Sequence, residues 1–239
     1  MDGGDGGDGG DGRRGVGARG VKPKPVAAAR PPEVRLPPLA PYDGPLEPDG
    51  DYDGVELTGA DLTGQDGAGA RFLDSALRGC VLDGARLTAA RFLDSVLEGV
   101  RGVGTDLAGA QLRDVEVVEA RLGGAQLHGA VLERVWIRGG KADFPNLRTA
   151  RLKDVVFDGC VLNEPDFARA TLERVEFRDC VLIGADFSGV RMKDVDLRTV
   201  RRLEIARGVD ALAGAVISPS QLLDLAPVFA AHLGLRVAD

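Results

Sequence analysis

The sequence has little of the chemistry that most active sites need. Its 239 residues include only three cysteines and two histidines. His128 and His232 lie on different segments, and neither has cysteines or acidic residues nearby at the spacing of zinc ligands. No P-loop, dinucleotide-binding glycine pattern or HExxH string occurs. We therefore expect no catalytic site, no metal and no other cofactor, and we predict that the protein is not an enzyme.

Long hydrophobic runs are also missing. No apolar stretch approaches the roughly 20 residues that cross a bilayer, and the N-terminus lacks the basic and apolar regions of a signal peptide. We expect a cytoplasmic protein with no membrane partner. The formal net charge of -7 argues against direct binding to nucleic acid. Arginine outnumbers lysine, which is typical of GC-rich genomes such as those of actinobacteria.

Aromatic residues make up only 5% of the chain, whereas glycine contributes 34 residues. A core with so few large rings needs regular stacking of smaller side chains. Every fifth residue from Leu57 to Leu197 is large and apolar, except at Gly67, Gly102 and Ala142, and a small residue usually stands two places before it. Neither the helical period of 3.6 nor the strand period of 2 fits this pattern. All three cysteines fall in the small register, which predicts buried, reduced thiols.

A second period of 20 residues groups the pentapeptides in fours. Related strings recur at this spacing, among them RFLDS at 71–75 and 91–95, RLKDV at 151–155 and RMKDV at 191–195. Four pentapeptides therefore make one coil of a solenoid. Adjacent coils in a β-ladder lie about 4.8 Å apart, so about seven coils form a rod of roughly 35 Å.

The repeated unit is small residue, Asp, large apolar residue, and it is clearest at three places: Ala60-Asp61-Leu62, Thr105-Asp106-Leu107 and Ala185-Asp186-Phe187. On this pattern the chain resembles the pentapeptide-repeat proteins. The resemblance implies an all-β fold, a right-handed quadrilateral parallel β-helix, over residues 51–200. The KADFP string at 141–145 and the interrupted column beside it predict a local bulge or loop.

The two ends of the chain depart from the repeat. Residues 1–50 are rich in glycine and proline, which predicts a disordered tail. Residues 201–239 form a capping segment, in which Ser218 and Gln221 predict the start of a short helix near 219–233. The helix carries an apolar stripe of Leu222, Leu225, Phe229 and Leu233. We expect this stripe to cover the open end of the solenoid as a lid, to form the twofold contact of a homodimer, or to do both.

Two columns of outward-facing residues are candidate interaction surfaces. The apolar candidates are Val81, Val103, Trp136, Val161, Val181 and Ile183. The acidic candidates are Asp66, Asp106, Asp166 and Asp186. Contiguous exposed apolar residues indicate a protein-binding site, although β-branched residues also simply suit an extended backbone.

Two functional hypotheses follow. The first is a non-catalytic scaffold for protein–protein interaction, with an unknown protein partner. The second comes from the resemblance, because acidic pentapeptide-repeat proteins mimic a DNA duplex and occupy DNA gyrase, which gives quinolone resistance. Acidic residues only slightly outnumber basic ones over residues 51–200, and pairs such as Arg91 with Asp94 and Lys153 with Asp154 are expected to neutralise one face. The sequence therefore favours the scaffold.

Overall fold

The structure, a computed structural model, describes residues 25–238 and consists mainly of short parallel strands. The strands of this part of the chain are β1 (Ala40–Pro41), β2 (Asp51–Asp53), β3 (Val55–Thr58), β4 (Arg71–Leu73), β5 (Ala76–Arg78), β6 (Arg91–Glu98), β7 (Arg101–Val103), β8 (Gln111–Val118), β9 (Arg121–Gly123), β10 (Val131–Arg138), β11 (Lys141–Asp143), β12 (Arg151–Asp158), β13 (Val161–Asn163), β14 (Thr171–Arg178), β15 (Val181–Asp186), β16 (Arg191–Asp196), β17 (Arg202–Arg207) and β18 (Ala215–Val216). A short 3-10 helix, Val209–Ala211, and one α-helix, α1 (Pro219–His232), follow the repeats.

Each 20-residue coil has four sides. In the coil at 91–110 the first side is 91–93, the second 96–98, the third 101–103 and the fourth 106–108, and the other coils repeat this division. A 12-stranded sheet covers the first and second sides, a 6-stranded sheet covers the third, and single bridges join the fourth. The solenoid has about eight turns rather than the expected seven, because residues from Asp51 onward already form a full coil. The predicted right-handed quadrilateral β-helix is confirmed.

The five-residue period exists because each large residue points into the rod and stacks on the residue 20 places away. Leu132 pairs in register with Leu112 and with Leu152. The rings of Phe72 and Phe92 stack with centroids 4.7 Å apart. Burying each such side chain contributes about 1.5–3 kcal/mol, and this gain offsets the cost of ordering the backbone.

The small register faces inward at the corners and is almost fully buried. Hydroxyl groups in this register donate hydrogen bonds to backbone carbonyls. Ser75 Oγ donates to Tyr52 O (2.8 Å), and Thr105 Oγ1 donates to Leu82 O (2.8 Å). Small polar residues are therefore tolerated in the core because their hydrogen bonds are made.

The interruptions of the large column have different physical causes. A Cβ on Gly102 would lie 2.9 Å from the backbone of Leu82, so only glycine fits. Ala142, between Leu122 and Leu162 in the ladder, lines an apolar cavity of about 110 Å³. The prediction of a bulge or loop at 141–145 is wrong, since β11 pairs in register with both neighbouring strands and Phe144 (φ 54°) makes the turn to the fourth side. The register shifts instead between β15 and β17.

The C-terminal segment closes one end of the solenoid. The helix α1 begins with a capping box between Ser218 and Gln221 and ends with a left-handed Gly234 (φ 70°). Leu225 is 3% exposed and joins the core cluster, and Phe229 packs against it. The helix therefore covers the last coil.

The N-terminal segment differs from the predicted tail. Residues 1–24 lie outside the described residues, but residues 25–50 lie against the solenoid. Strand β1 pairs with β3, Leu46 is 6% exposed, and the rings of Tyr42 and Tyr52 meet at 5.3 Å. Residues 40–50 thus cap the first coil, because its open apolar end needs a cover. Residues 25–39, here named the strap, run along the outside of the rod.

Candidate functional site

The apolar candidates do not form one surface. On the third side, the column Val81, Arg101, Arg121, Lys141, Val161 and Val181 runs from coil to coil. Three basic residues therefore separate Val81 from the two later valines, which have Ile183 as a neighbour on the same side. Val103 is 69% exposed but stands beside Gly123 in the ladder. Trp136 lies on the second side. The structure brings together only Val161, Val181 and Ile183.

The third side also carries a groove of about 600 Å³ beside its basic residues. Arg101 and Arg121 are exposed at its edge, and Lys141 pairs with Asp143 at 2.9 Å. Glu119 also lines the groove. Its charges are mixed, so the groove does not present a strong field of one sign.

The acidic candidates share one column on the fourth side, but their charges are balanced. The column contains Asp66, Arg86, Asp106, Gln126, Asn146, Asp166 and Asp186. Three ion pairs involve its aspartates: Arg86–Asp66 (3.2 Å), Arg148–Asp166 (2.9 Å) and Arg207–Asp186 (3.6 Å). Asp106 accepts a hydrogen bond from Thr88 Oγ1 at 3.0 Å. The column is not a continuous negative stripe.

The expected neutralisation of the first side occurs mainly between coils rather than within one coil. Lys153 pairs with Glu133 (3.4 Å), not with Asp154. Asp154 instead makes a bidentate pair with Arg174 one coil later (2.7 and 2.8 Å). In the β-ladder a residue 20 positions away lies closer than most residues of the same coil, so ion pairs join adjacent coils.

The predicted stripe of helix α1 divides between two faces. Leu225 and Phe229 turn toward the solenoid, whereas Leu222 is 52% exposed and Leu233 is 70% exposed. Leu223, which the sequence reasoning missed, is 75% exposed. At 100° per residue, Leu222, Leu223 and Leu233 fall on one face together with Ala226 and Ala230. These five residues are here named the outer helix face.

A second feature that sequence reasoning missed is the contact between the strap and the corner of the first and second sides. The backbone N–H of Ala29 donates to Glu176 Oε1 (2.7 Å), and that of Arg30 donates to Asp154 Oδ1 (3.2 Å). Asp154 is 1% exposed. Burial opposes its ionisation, but Arg174 and the Arg30 N–H outweigh that effect and hold the pKa of Asp154 below its usual range.

The three cysteines lie in the core of the rod. Cys80, Cys160 and Cys180 are free and buried, as their place in the small register predicts. The thiol of Cys160 faces Ile137 O at 3.3 Å. Its contact with Cys180 and its burial raise its pKa far above the usual range, which disfavours the reactive thiolate.

Two further features are absent from the described residues. Residues 25–238 contain no group of three or more His, Cys, Asp or Glu side chains that could hold a metal ion. Within the same range, no helix combines the length and the apolar character needed to span a membrane.

Comparison with known families agrees with the geometry of the coils. The family described as pentapeptide repeats (8 copies) matches residues 53–84 and 80–116, and the family described as pentapeptide repeat region matches residues 142–205. The matches cover more than half of the chain. The chain belongs to the pentapeptide-repeat family. No curated protein matches it.

Two solved pentapeptide-repeat structures are similar to this one. QnrB1, a plasmid-mediated fluoroquinolone resistance protein, is 17% identical with a TM-score of 0.40, covering 84% of this chain and 100% of that one. HetL, a pentapeptide-repeat protein involved in heterocyst differentiation regulation from the cyanobacterium Nostoc sp. strain PCC 7120, is 21% identical with a TM-score of 0.38, covering 70% of this chain and 89% of that one. Identities this low leave the function open.

Proposed function

We propose that this pentapeptide-repeat protein is a non-catalytic, rigid protein-binding rod that forms a homodimer through its outer helix face. The observation that carries the proposal is the exposure of Leu222, Leu223 and Leu233 on one face of α1, at 52%, 75% and 70%. Large apolar side chains grouped on a surface are typical of protein interfaces.

The helix gives this face a fixed geometry. Its core face is held against the last coil by Leu225, and Gln221 Nε2 donates to Leu197 O at 2.7 Å. The outer helix face is therefore presented rigidly at the end of the rod and is free to meet a second copy. A face built mostly of leucine and alanine is self-complementary, as a twofold interface requires. The resulting dimer joins two rods at their C-terminal ends.

Sedimentation equilibrium of the full chain tests this proposal. We expect the native protein to be a dimer and the Leu223→Glu variant to be a monomer, because the new charge would be buried without a partner. Ala231→Glu is the matched control, since it adds the same charge at an exposed position away from the outer helix face. A monomeric native protein, or two variants that dissociate equally, would contradict the proposal.

The interior supports the non-catalytic part of the proposal. Stacked Leu and Phe side chains fill the rod, and its 110 Å³ cavity is lined by apolar residues such as Leu122 and Ala142. Such a cavity offers no polar groups to bind and orient a substrate. The proposal also places the protein in the cytoplasm, where buried thiols such as Cys160 stay reduced.

The alternative, inhibition or protection of DNA gyrase by DNA mimicry, stays a prediction with weaker support. A duplex carries one charge per about 1.7 Å, whereas Asp66, Asp166 and Asp186 are each paired with an arginine. We expect purified protein in large molar excess to leave gyrase supercoiling unchanged. Inhibition that weakens when Asp106 and Asp166 are replaced by Asn would support the mimic instead.

A further inference from the structure

The strap is bound to the rod through its backbone. Its N–H groups at Ala27 and Ala29 donate to Asp194 Oδ1 (3.3 Å) and Glu176 Oε1 (2.7 Å), and Arg30 donates to Asp154. These three carboxylates belong to three successive coils. The strap therefore runs along the rod axis, opposite to the direction in which the coils progress. A backbone held by N–H groups is recognised as an extended chain, largely independently of its side chains.

The buried residues of the strap have the period of a polyproline II helix. Val26, Ala29 and Pro32 turn inward, each three positions apart, and Val34 and Leu36 follow in alternation. Polyproline II has three residues per turn and a rise of about 3.1 Å per residue. Because coils lie about 4.8 Å apart, one strap residue advances roughly two-thirds of a coil. The proline-rich sequence of the strap fits this geometry.

The rod surface beneath the strap is apolar and covered. Val156 points outward on the second side, in the ladder beside Glu176, yet it is only 3% exposed. Outward valines elsewhere are far more accessible: Val103 is 69% and Val131 is 36% exposed. Since Asp154 and Glu176 bind the strap on both sides of Val156, the strap is what covers it. Asp154, Val156, Glu176 and Asp194 are here named the corner groove.

The groove extends toward an aromatic residue with an unused donor. Trp136 is the ladder neighbour of Val156 in the preceding coil. Its indole Nε1 is buried and has no hydrogen-bond partner among the described residues. The guanidinium of Arg138 lies 4.7 Å from the centre of the ring. Grooves that recognise polyproline II segments are lined by aromatic side chains, and an indole N–H can act only as a donor.

We propose that the corner groove, with Trp136 beside it, is a binding site for an extended proline-rich segment of a partner protein, and that the strap occupies this site in cis. The suitable partner has small or proline residues at every third position and offers backbone N–H groups to the three carboxylates of the groove, as the strap does. A backbone carbonyl of such a segment can accept a hydrogen bond from the indole N–H of Trp136. This proposal does not depend on the outer helix face.

The strap controls access to the groove because it is tethered. Strand β1 fixes its end at residue 40, so the strap competes with a partner at an effective concentration of about the millimolar range, as short linkers give. A partner can occupy the groove only when the contacts of the strap are weakened or when the partner binds the groove more strongly than the strap does. The contact is therefore autoinhibitory.

The test uses the full chain and a fluorescent peptide with the sequence of residues 25–39. Ala29→Glu places a charge and a larger side chain against Glu176 and is expected to release the strap. Ala28→Glu is the control, because Ala28 is exposed and the same charge there leaves the contact with Glu176 in place. Trypsin cleavage after Arg35 reports release, because the bond after Arg30 precedes Pro31 and resists trypsin. We expect fluorescence anisotropy to show the peptide bound by Ala29→Glu about tenfold more tightly than by the native chain or by Ala28→Glu, since cis competition is removed.

Three results would overturn the proposal. The first is a released strap, shown by faster cleavage after Arg35, without peptide binding. The second is equal binding to all three proteins, or binding that persists when Val156→Glu is added to Ala29→Glu, since the peptide would then occupy another site. The third is unchanged cleavage in both Ala29→Glu and a second variant, Pro32→Asp, because the strap would then not be held by these contacts.

Discussion

At the scale of single residues, the five-residue register determines which substitutions the rod accepts. The large column tolerates Ala142 at the cost of a cavity of about 110 Å³. Gly102 is a different case, because the backbone of Leu82 leaves no room for a Cβ. Two interruptions that look alike in the sequence thus have opposite consequences: one position can be filled and the other cannot.

Filling the cavity should stabilise the protein. We expect Ala142→Leu to raise the free energy of unfolding by about 0.5–2 kcal/mol, because the added side chain occupies existing apolar space. Ala150→Leu is the control, since Ala150 is fully buried in the small register and overpacking there should cost about 1–3 kcal/mol. Urea denaturation followed by circular dichroism measures both. A destabilised Ala142→Leu would show that the cavity cannot accept a side chain.

The pair of Asp154 and Arg174 should make stability depend on pH. Because the pKa of Asp154 is lowered in the folded state, its contribution is complete above the unfolded value of about 3.9 and is lost as the pH falls through the folded pKa. Between pH 6 and pH 3 the native protein should therefore lose more stability than the Asp154→Asn variant. Asp224→Asn, on the exposed side of α1, should follow the native profile. Parallel profiles for the native protein and Asp154→Asn would contradict this account.

At the scale of elements, the two caps matter most because coils contact only their neighbours. Gln221 links the helix to the last coil: its Nε2 donates to Leu197 O (2.7 Å) and Val200 O (3.2 Å), and its Oε1 accepts from Ser218 N (2.8 Å). We expect Gln221→Ala to destabilise this end by about 1–3 kcal/mol, because buried carbonyls lose their donors. Asp224→Ala is the control on the exposed side of the same helix.

Hydrogen exchange resolved by segment measures this effect. Faster exchange should be confined to α1 and the coil that begins at Arg191, while the central coils keep their protection. Uniformly faster exchange along the whole rod would mean that the solenoid unfolds as one unit and that the cap does not act locally.

The sequence predicted the elements that repeat better than those that occur once. The 20-residue spacing recurs in every coil, so each coil confirms the register of the others. The start of the helix is also predictable, because Ser218 and Gln221 form a known capping pattern. The strap occurs once, and its proline-rich composition is also typical of disorder. The three-residue spacing of Val26, Ala29 and Pro32 was the available signal, but its meaning depends on Asp154 and Glu176, which only the fold brings close.

The candidate surfaces were harder to predict for a similar reason. Val81 and Val161 share a column, but three basic residues lie between them, so register alone did not establish contact. Leu223 was missed because the predicted stripe followed one helix face, whereas α1 is apolar on two. An apolar residue outside the core stripe becomes informative only when its exposure is known.

At the scale of the whole molecule, the protein is a rod of about eight coils, roughly 40 Å long at about 4.8 Å per coil, with the outer helix face at one end. Ion pairs between adjacent coils, such as Asp154 with Arg174, balance much of the charge along its sides. We therefore expect long-range attraction to a charged partner to be weak.

Small-angle X-ray scattering of the full chain tests the central claim, that two rods join at their C-terminal ends. We expect a particle whose maximum dimension is roughly twice that of a single rod, and a Leu223→Glu variant whose dimension falls to that of one rod. A native protein with the dimension of a single rod, or a dimer no longer than one rod because its subunits lie side by side, would contradict the claim.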